Sequence, residues 1–350
     1  MKFLVECTAS TRKPPTGRRV AVVGAGPAGL GAAGVLACRG HEVHVYDALP
    51  EPGGLLIFGI PPERMPRESV RRGVAELRGA SVVFLTSTFI SCGAQPQREH
   101  VALLFAQRLL RLEELAREYD AVIIATGAWR SRALRVPGSD LPGVYSALDF
   151  IVRARAHQLG YLPREQVLPV GRRVLVIGGG LVAVDAALEA AAQGAREVIV
   201  AYRRTAGEAP AGRHMIELLK SRGIKFLELV TPVAFTGRDR VERVRFVRVR
   251  LGAPDSSGRP APEPVPGSEF DEAFDTVLLA VGELPTPPGL CLGVELGPDS
   301  AVRVDERMRA GREGVFAAGD VVTGPSTVGM AFSSGVRAAR YVDEYLSGVY

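Results

Sequence analysis

Val20 to Leu30 reads VAVVGAGPAGL, and no other stretch narrows the choice of fold so far. Four apolar, mostly β-branched residues run into Gly24, Gly26 and Gly29, and small residues at helical density follow from Leu30 to Ala37. That order predicts a strand, a tight turn and a helix of the kind that binds a dinucleotide. Each glycine has a physical task. Gly24 makes the bend, Gly26 lets backbone touch a pyrophosphate, and Gly29 lets the helix lie close on the strand so that its N-terminus faces the anion. Pro27 and Ala28 complete the turn. A second strand, Glu42 to Tyr46, ends at Asp47, 23 residues past Gly24, where a carboxylate accepts hydrogen bonds from ribose hydroxyls.

The pattern recurs 154 residues later. Arg173 to Ile177 reads as a strand, Gly178-Gly179-Gly180-Leu181-Val182-Ala183 fits GxGxxA, and an alanine-rich helix continues through Asp185 to Ala192. The next strand, Glu197 to Tyr202, ends in Arg203 and Arg204 where the first had Asp47. Two guanidinium groups attract a 2′-phosphate that a carboxylate would repel, so this half is expected to prefer NADP(H) to NAD(H). The competing reading has both arginines solvating a strand end. Phe274 to Gly282, FDTVLLAVG, repeats Tyr119 to Gly127, YDAVIIATG, which argues for internal duplication. The acid in one half and the arginines in the other argue for two different ligands, with FAD expected in the first. The fold class is therefore α/β with two Rossmann-like dinucleotide-binding domains.

Between these landmarks, ALPEPGGLLIFGIPPERMPRE is too rich in Gly and Pro for a regular element, and Gly53 and Gly54 suit close backbone approach to a ligand. Arg64, beside this loop, is a candidate phosphate contact; Arg67 and Arg71 read as a solvated helix face. Val82 to Phe89 reads as a strand, and Val101 to Tyr119 as helical or mixed. The strand Ala121 to Gly127 ends in a small triplet under which a cofactor can pass, and Val136 to Leu141 reads as a turn-rich crossing between domains. Arg238 to Leu251 alternates until its phase slips at Phe246-Val247, as in a strand with a bulge or a short hairpin. Ala253 to Ser268, with five prolines, reads as a surface loop. In GVFAAGDVVTGPSTVGMAFSSGVRAA, from Gly314 to Ala339, a short strand ends at Gly319-Asp320 and a helix opens near Ser326-Thr327. Asp320 can accept from polyol hydroxyls, and the helix N-terminus can face a reduced flavin.

Composition excludes several classes. No apolar run approaches the roughly 20 residues of a membrane span, and the N-terminus is too short and too broken for a secretory signal, so a cytoplasmic protein is expected. The net charge of +5 comes from 39 Arg and 4 Lys. No basic block is interleaved with aromatics, so nucleic acid is not expected as a partner. Cys7, Cys38, Cys92 and Cys291 form no CxxC or CxxxxC and lack histidine at ligand spacing, so neither a metal site nor a redox dithiol is read and the cysteines are expected to be buried small apolar residues.

Together these residues resemble the two-dinucleotide-binding flavoprotein superfamily, and most closely the small (beta) subunit of glutamate synthase. Its relatives include adrenodoxin reductase and the large subunit of the bifurcating NADH-dependent ferredoxin:NADP oxidoreductase. VAVVGAGPAGL, LPEPGGLLIFGIPPERMP, IIATG, VLVIGGGLVAVDAA, VAYRRT, LLAVG and VFAAGDVVTGPSTV carry the likeness. The resemblance implies an FAD domain built from residues 1–135 and 286–350, with an NADP domain inserted as 136–285. It implies FAD contacts at Gly24, Gly26, Pro27, Ala28, Gly29, Asp47, Gly54, Leu55, Arg64, Gly127, Gly319, Asp320 and Val328. NADPH contacts fall on Gly179, Gly180, Leu181, Val182, Arg203 and Arg204. The chain departs from the family pattern at Leu181, usually Asn, at Gly329-Met330, and in starting too late for the iron-sulfur domain of the glutamate synthase members.

Hydride transfer from nicotinamide to flavin needs stacking and exclusion of water, so no catalytic side chain is assigned. The expected activity is an FAD-dependent NAD(P)H oxidoreductase passing electrons to a partner subunit, a ferredoxin or another acceptor. The alternatives are a non-catalytic flavin-binding assembly subunit and a flavin monooxygenase.

Overall fold

The structure, a computed structural model, describes residues 1–93, 100–255 and 258–349. The chain divides into two compact units, one made of Met1–Arg130 with Glu283–Tyr350 and the other of Ser131–Gly282.

In the first unit the strand Arg19–Val23 lies at the middle of a five-stranded parallel sheet. Glu42–Tyr46 and Val83–Leu85 extend the sheet on one side of it, and Ala121–Ile124 and then Val315–Ala317 on the other. The glycine turn leads into the helix Pro27–Cys38, whose residues from Ala28 onward are all buried. Such a helix needs cover on every side. Part of it comes from the helix Val328–Leu346, so close that a Cβ at Gly335 would lie 1.9 Å from the Ala28 carbonyl oxygen. Because strand side chains alternate between faces, Ala21, Val23, Val122, Ile124 and Ala317 share a separate apolar cluster with Leu112, Leu115 and Val302.

The second unit repeats the plan. Arg173–Ile177 is central, Glu197–Tyr202 and Lys225–Glu228 lie to one side, and Thr276–Leu279 and Val144–Ser146 to the other, all parallel. The strand order matches the first unit with one exchange: the outermost strand beyond the repeated VLL/VII segment precedes the glycine turn here and follows it there. Helices Ala147–Gln158, Leu181–Ala192 and Arg213–Ser221 contribute to the core on one face. On the other, Val230–Thr236, Arg243–Pro254 and Phe270–Ala273 form an antiparallel sheet whose Phe246 and Phe235 pack with Leu175 and Ile199.

Several local expectations are corrected. The segment Val82–Phe89 breaks into strands Val83–Leu85 and Thr88–Ser91 at Ser87, which takes a positive φ of 50°. The Gly/Pro loop contains one helical turn, Leu55–Phe58. Arg71 is more than a solvated helix residue, since it pairs with Glu51 at 2.6 Å and Glu68 at 2.9 Å. The register shift implied by Phe246-Val247 lies on the partner strand, between Pro232 and Ala234. The proline-rich stretch is not a loop throughout. Pro260–Pro264 pairs antiparallel with Arg243–Pro254 as an edge strand, and prolines at alternate positions leave their missing N–H groups on one side. Residues 256 and 257 of that stretch lie outside the described residues.

The cysteines are also not isolated apolar residues. Cys7 is bonded to Cys38, anchoring the N-terminal arm to the end of the first glycine-turn helix, and Cys92 to Cys291 across 199 positions of sequence. Phe3 and Leu4 of that arm are buried, with Phe3 beside Gly34 and Gly73. No described helix is long and apolar enough to cross a membrane.

Candidate functional site

At the first glycine turn, two of the three glycines are demanded by the fold itself. Gly24 has φ of 108° and a Cβ there would lie 2.3 Å from the Ala125 oxygen; at Gly29 it would lie 1.8 Å from the Gly24 oxygen. Gly26 differs. Its φ and ψ of −75° and −173° suit any residue, and a Cβ would meet nothing within 4 Å. Gly26 is also the N-cap of the helix Pro27–Cys38, with no side chain capping it and no acid in the first turn. The positive end of a 12-residue helix is thus left open beside free space, which is the requirement for a bound phosphate.

Of the sequence-predicted partners, Asp47, Gly54 and Gly319 lie directly against this turn. Asp47 accepts from the Ala25 N–H at 2.5 Å and the Leu49 N–H at 2.7 Å. Burial raises its pKa to about 6 against the opposing pull of those two hydrogen bonds. Each carboxylate oxygen has a second lone pair, so hydroxyl donors can still be accepted. The Gly53 N–H donates to the Ala25 oxygen at 2.9 Å, and the Cα of Gly26 is 3.0 Å from a Cβ built on Gly54. Leu55 opens the helical turn just beyond. From the other end of the chain, Gly319 fits against Ala28, whose Cβ would be 2.6 Å from one added there. Asp320 follows, its pKa raised by burial and opposed by the Ser326 hydroxyl, which donates to it at 2.5 Å. The helix Val328–Leu346 is capped by Thr327, whose hydroxyl accepts from Met330 N–H at 3.2 Å; nothing lies within 4 Å of a Cβ on Gly329, and Met330 is exposed. Gly127 has φ of 79° and its carbonyl accepts from the Thr286 N–H at 3.0 Å. Arg64 is exposed in the turn after Pro61.

The second turn has the same division. A Cβ at Gly178 would lie 2.2 Å from the Ala280 oxygen, and one at Gly179 would strike the Tyr202 ring. Gly180, with φ and ψ of −90° and 177°, has nothing within 4 Å and is the uncapped N-cap of Leu181–Ala192, again without an acid in the first turn. Leu181 is exposed and Val182 half-buried. The two arginines part company. Arg203 is exposed, whereas Arg204 is 1% exposed and donates to the Pro260 oxygen at 2.7 Å and to Asp255 at 2.6 Å. Adjacent residues at a strand end point to opposite faces, so period-two alternation was the signal that could have separated them. Among the described residues no cluster of metal-ligating side chains occurs.

The donor sets fit adenine dinucleotides at both turns: an open helix N-terminus for pyrophosphate, with a half-buried carboxylate for hydroxyls in one case and an exposed guanidinium in the other. Comparison with known proteins bears on the family and the fold. Residues 18–335 match the family model described as pyridine nucleotide-disulphide oxidoreductase. The chain is 38% identical over 339 residues to the glutamate synthase [NADPH] small chain of Halomonas elongata, covering 95% of this chain and 68% of that one. It is 36% identical to the NADP(+)-dependent formate dehydrogenase subunit beta of Moorella thermoacetica, covering 95% of this chain and 44% of that one. Among solved structures, Mycobacterium tuberculosis FprA in complex with NADPH superposes with a TM-score of 0.76 at 23% identity, covering 96% of this chain and 85% of that one. Lactococcus lactis thioredoxin reductase gives 0.64 at 21%, covering 95% and 99%.

Proposed function

The chain belongs to the pyridine nucleotide-disulphide oxidoreductase family, and we propose that it is an FAD-dependent NADPH oxidoreductase whose electrons pass to a separate redox partner. One observation carries this reading. Gly26 and Gly180 are glycines that the protein fold does not require, each at the open positive end of a helix, so the space a side chain would take is kept for a ligand.

When bound, FAD accepts a hydride from NADPH and can release the two electrons one at a time. The protein's part is to bind and orient. Gly24 to Gly29, with Gly54 and Leu55, would hold the FAD pyrophosphate, while Asp47 and Asp320 accept from its hydroxyls. Amides at the start of Val328–Leu346 would favour the negative charge of a reduced ring. Gly179 to Val182 would hold the NADPH pyrophosphate and Arg203 the 2′-phosphate. No side chain is assigned as acid or base, because hydride transfer between two bound cofactors asks none of the protein.

The relatives' names, "small chain" and "subunit beta", support a partner subunit; a ferredoxin would serve the same role. The chain spans 68% and 44% of those two relatives, and we assign the partner only as a one- or two-electron acceptor. Dependence on NADPH favours a cytoplasmic setting. Two disulfides are compatible with the cell interior of hyperthermophiles, where such bonds persist. The test is anaerobic: the purified chain, reconstituted with FAD, should be yellow and bleach on addition of NADPH. A protein that takes no FAD refutes the site, and one whose flavin stays oxidised is an assembly subunit.

A further inference from the structure

We propose that Asp255, on the hairpin joining Arg243–Pro254 to Pro260–Pro264, is a positioning residue for recognition of the 2′-phosphate, acting through Arg204 on Arg203. The inference rests on the NADPH reading of the second glycine turn and names a determinant that lies 51 positions beyond Arg204.

The chain emerging from the strand Glu197–Tyr202 is fastened at nearly every residue except Arg203. Before it, the Tyr202 hydroxyl donates to the Glu208 oxygen at 3.2 Å. After it, the Thr205 N–H and hydroxyl donate to Glu208 at 2.9 and 2.7 Å, and the Ala206 N–H donates to Glu228 at 3.0 Å. Arg204 is held from both ends. Its carbonyl accepts from the Leu229 N–H at 3.3 Å, and its guanidinium reaches the hairpin, with Nε on the Pro260 oxygen and Nη2 on Asp255. The hairpin turn is itself closed, since the Asp255 N–H donates to the Arg259 oxygen at 2.8 Å and the Gly258 N–H to the Asp255 oxygen at 2.9 Å.

A guanidinium that is 1% exposed needs its counter-charge, because an unpaired buried cation is strongly disfavoured. Asp255 supplies the charge in direct contact, while itself about one-third exposed at 31%, and Glu208 lies near enough to feel the same guanidinium. Arg204 is therefore committed to the hairpin, and a nucleotide cannot reach its guanidinium without displacing Asp255. What the latch leaves facing outward is Arg203, with the backbone on both sides of it fixed. A single guanidinium held this way selects a phosphate more sharply than one on a loose strand end, because less freedom is lost on binding.

The experiment is calorimetric titration of the full chain with adenosine 2′,5′-diphosphate and with 5′-AMP, which reports recognition without flavin or turnover. The wild type should prefer the diphosphate, and Arg203→Ser should reduce that preference by about tenfold or more. Asp255→Asn, close to isosteric, should reduce the preference by about tenfold with 5′-AMP affinity unchanged, and Asp255→Glu should restore it. In the Arg203→Ser background, Asp255→Asn should have no further effect on the ratio. Tighter diphosphate binding in Asp255→Asn overturns the inference, since Asp255 would then compete with the phosphate for Arg204. Equal loss for both ligands, or an additive effect in the double variant, overturns it too. A wild type with no diphosphate preference and an inert Arg203→Ser refutes the NADPH reading itself.

Discussion

Alanine at Gly26 and at Gly29 should separate what the fold requires from what the ligand requires. At Gly29 the new Cβ would sit 1.8 Å from the Gly24 carbonyl oxygen, where ordinary contact begins near 3.4 Å, and the obstacle is backbone rather than a mobile side chain. The helix must back away from its strand, and overpacking of this kind costs about 3 kcal/mol or more. At Gly26 the Cβ meets nothing and the backbone is already extended. Alanine is a poorer N-cap than glycine by up to about 1 kcal/mol, and restricting the unfolded chain returns about 0.4–1 kcal/mol, so the apo protein should be unchanged within error. Its FAD should not be. On the proposed reading the methyl would take space meant for a phosphate oxygen, and a clash of about 1–3 kcal/mol would raise the dissociation constant about 5- to 150-fold. Thermal unfolding of the apo chains and titration by flavin fluorescence read the two effects independently. Wild-type FAD affinity in Gly26→Ala, or a Gly26→Ala variant as unstable as Gly29→Ala, would refute the reasoning.

Other outcomes follow from single groups. The Asp47 pKa is raised from 3.8 to about 6, so the folded state holds the proton more tightly; stability present below about pH 4 is lost as pH rises through about 6, by about 3 kcal/mol, and denaturant titrations of the apo protein should show that slope flattened in Asp47→Asn. Replacing Cys92 and Cys291 by Ser should lower stability by about 2–5 kcal/mol, because the bond closes a long loop, and a thiol assay on the unfolded wild type should find no free cysteine before reduction. Thr327→Ala should cost about 1 kcal/mol by uncapping Val328–Leu346, measured as a lower midpoint in urea.

The two glycine turns, the strands on either side of them and the repeated YDAVII/FDTVLL segments were legible because each combines an apolar run with a glycine that backbone geometry enforces. Helix and strand periods then placed most of both sheets. Shorter elements were hidden by their chemistry. Val144–Ser146 has only three residues and follows PGSDLPG, whose turn signals dominate, and the edge strand Pro260–Pro264 carries prolines that argue against any strand until their alternate spacing is noticed. The disulfides could not be read at all, since separations of 31 and 199 residues match no local motif. At the second site, reading Arg203 and Arg204 as a pair of equal guanidiniums overlooked that one of them is buried by a hairpin some fifty residues away, a tertiary fact that only alternation along the strand hints at.

The order in which the ribosome releases this chain has a consequence for its birth. The glycine-turn helix Pro27–Cys38 emerges early, but Val315–Ala317 and Val328–Leu346, which complete its sheet and cover it, come only after the whole of Ser131–Gly282 has been made. The inserted unit has all of its own strands in hand by then and can mature first, whereas the earlier half waits with an apolar helix uncovered and Cys92 without Cys291. A nascent chain stalled within the insert is therefore the form most in need of a chaperone.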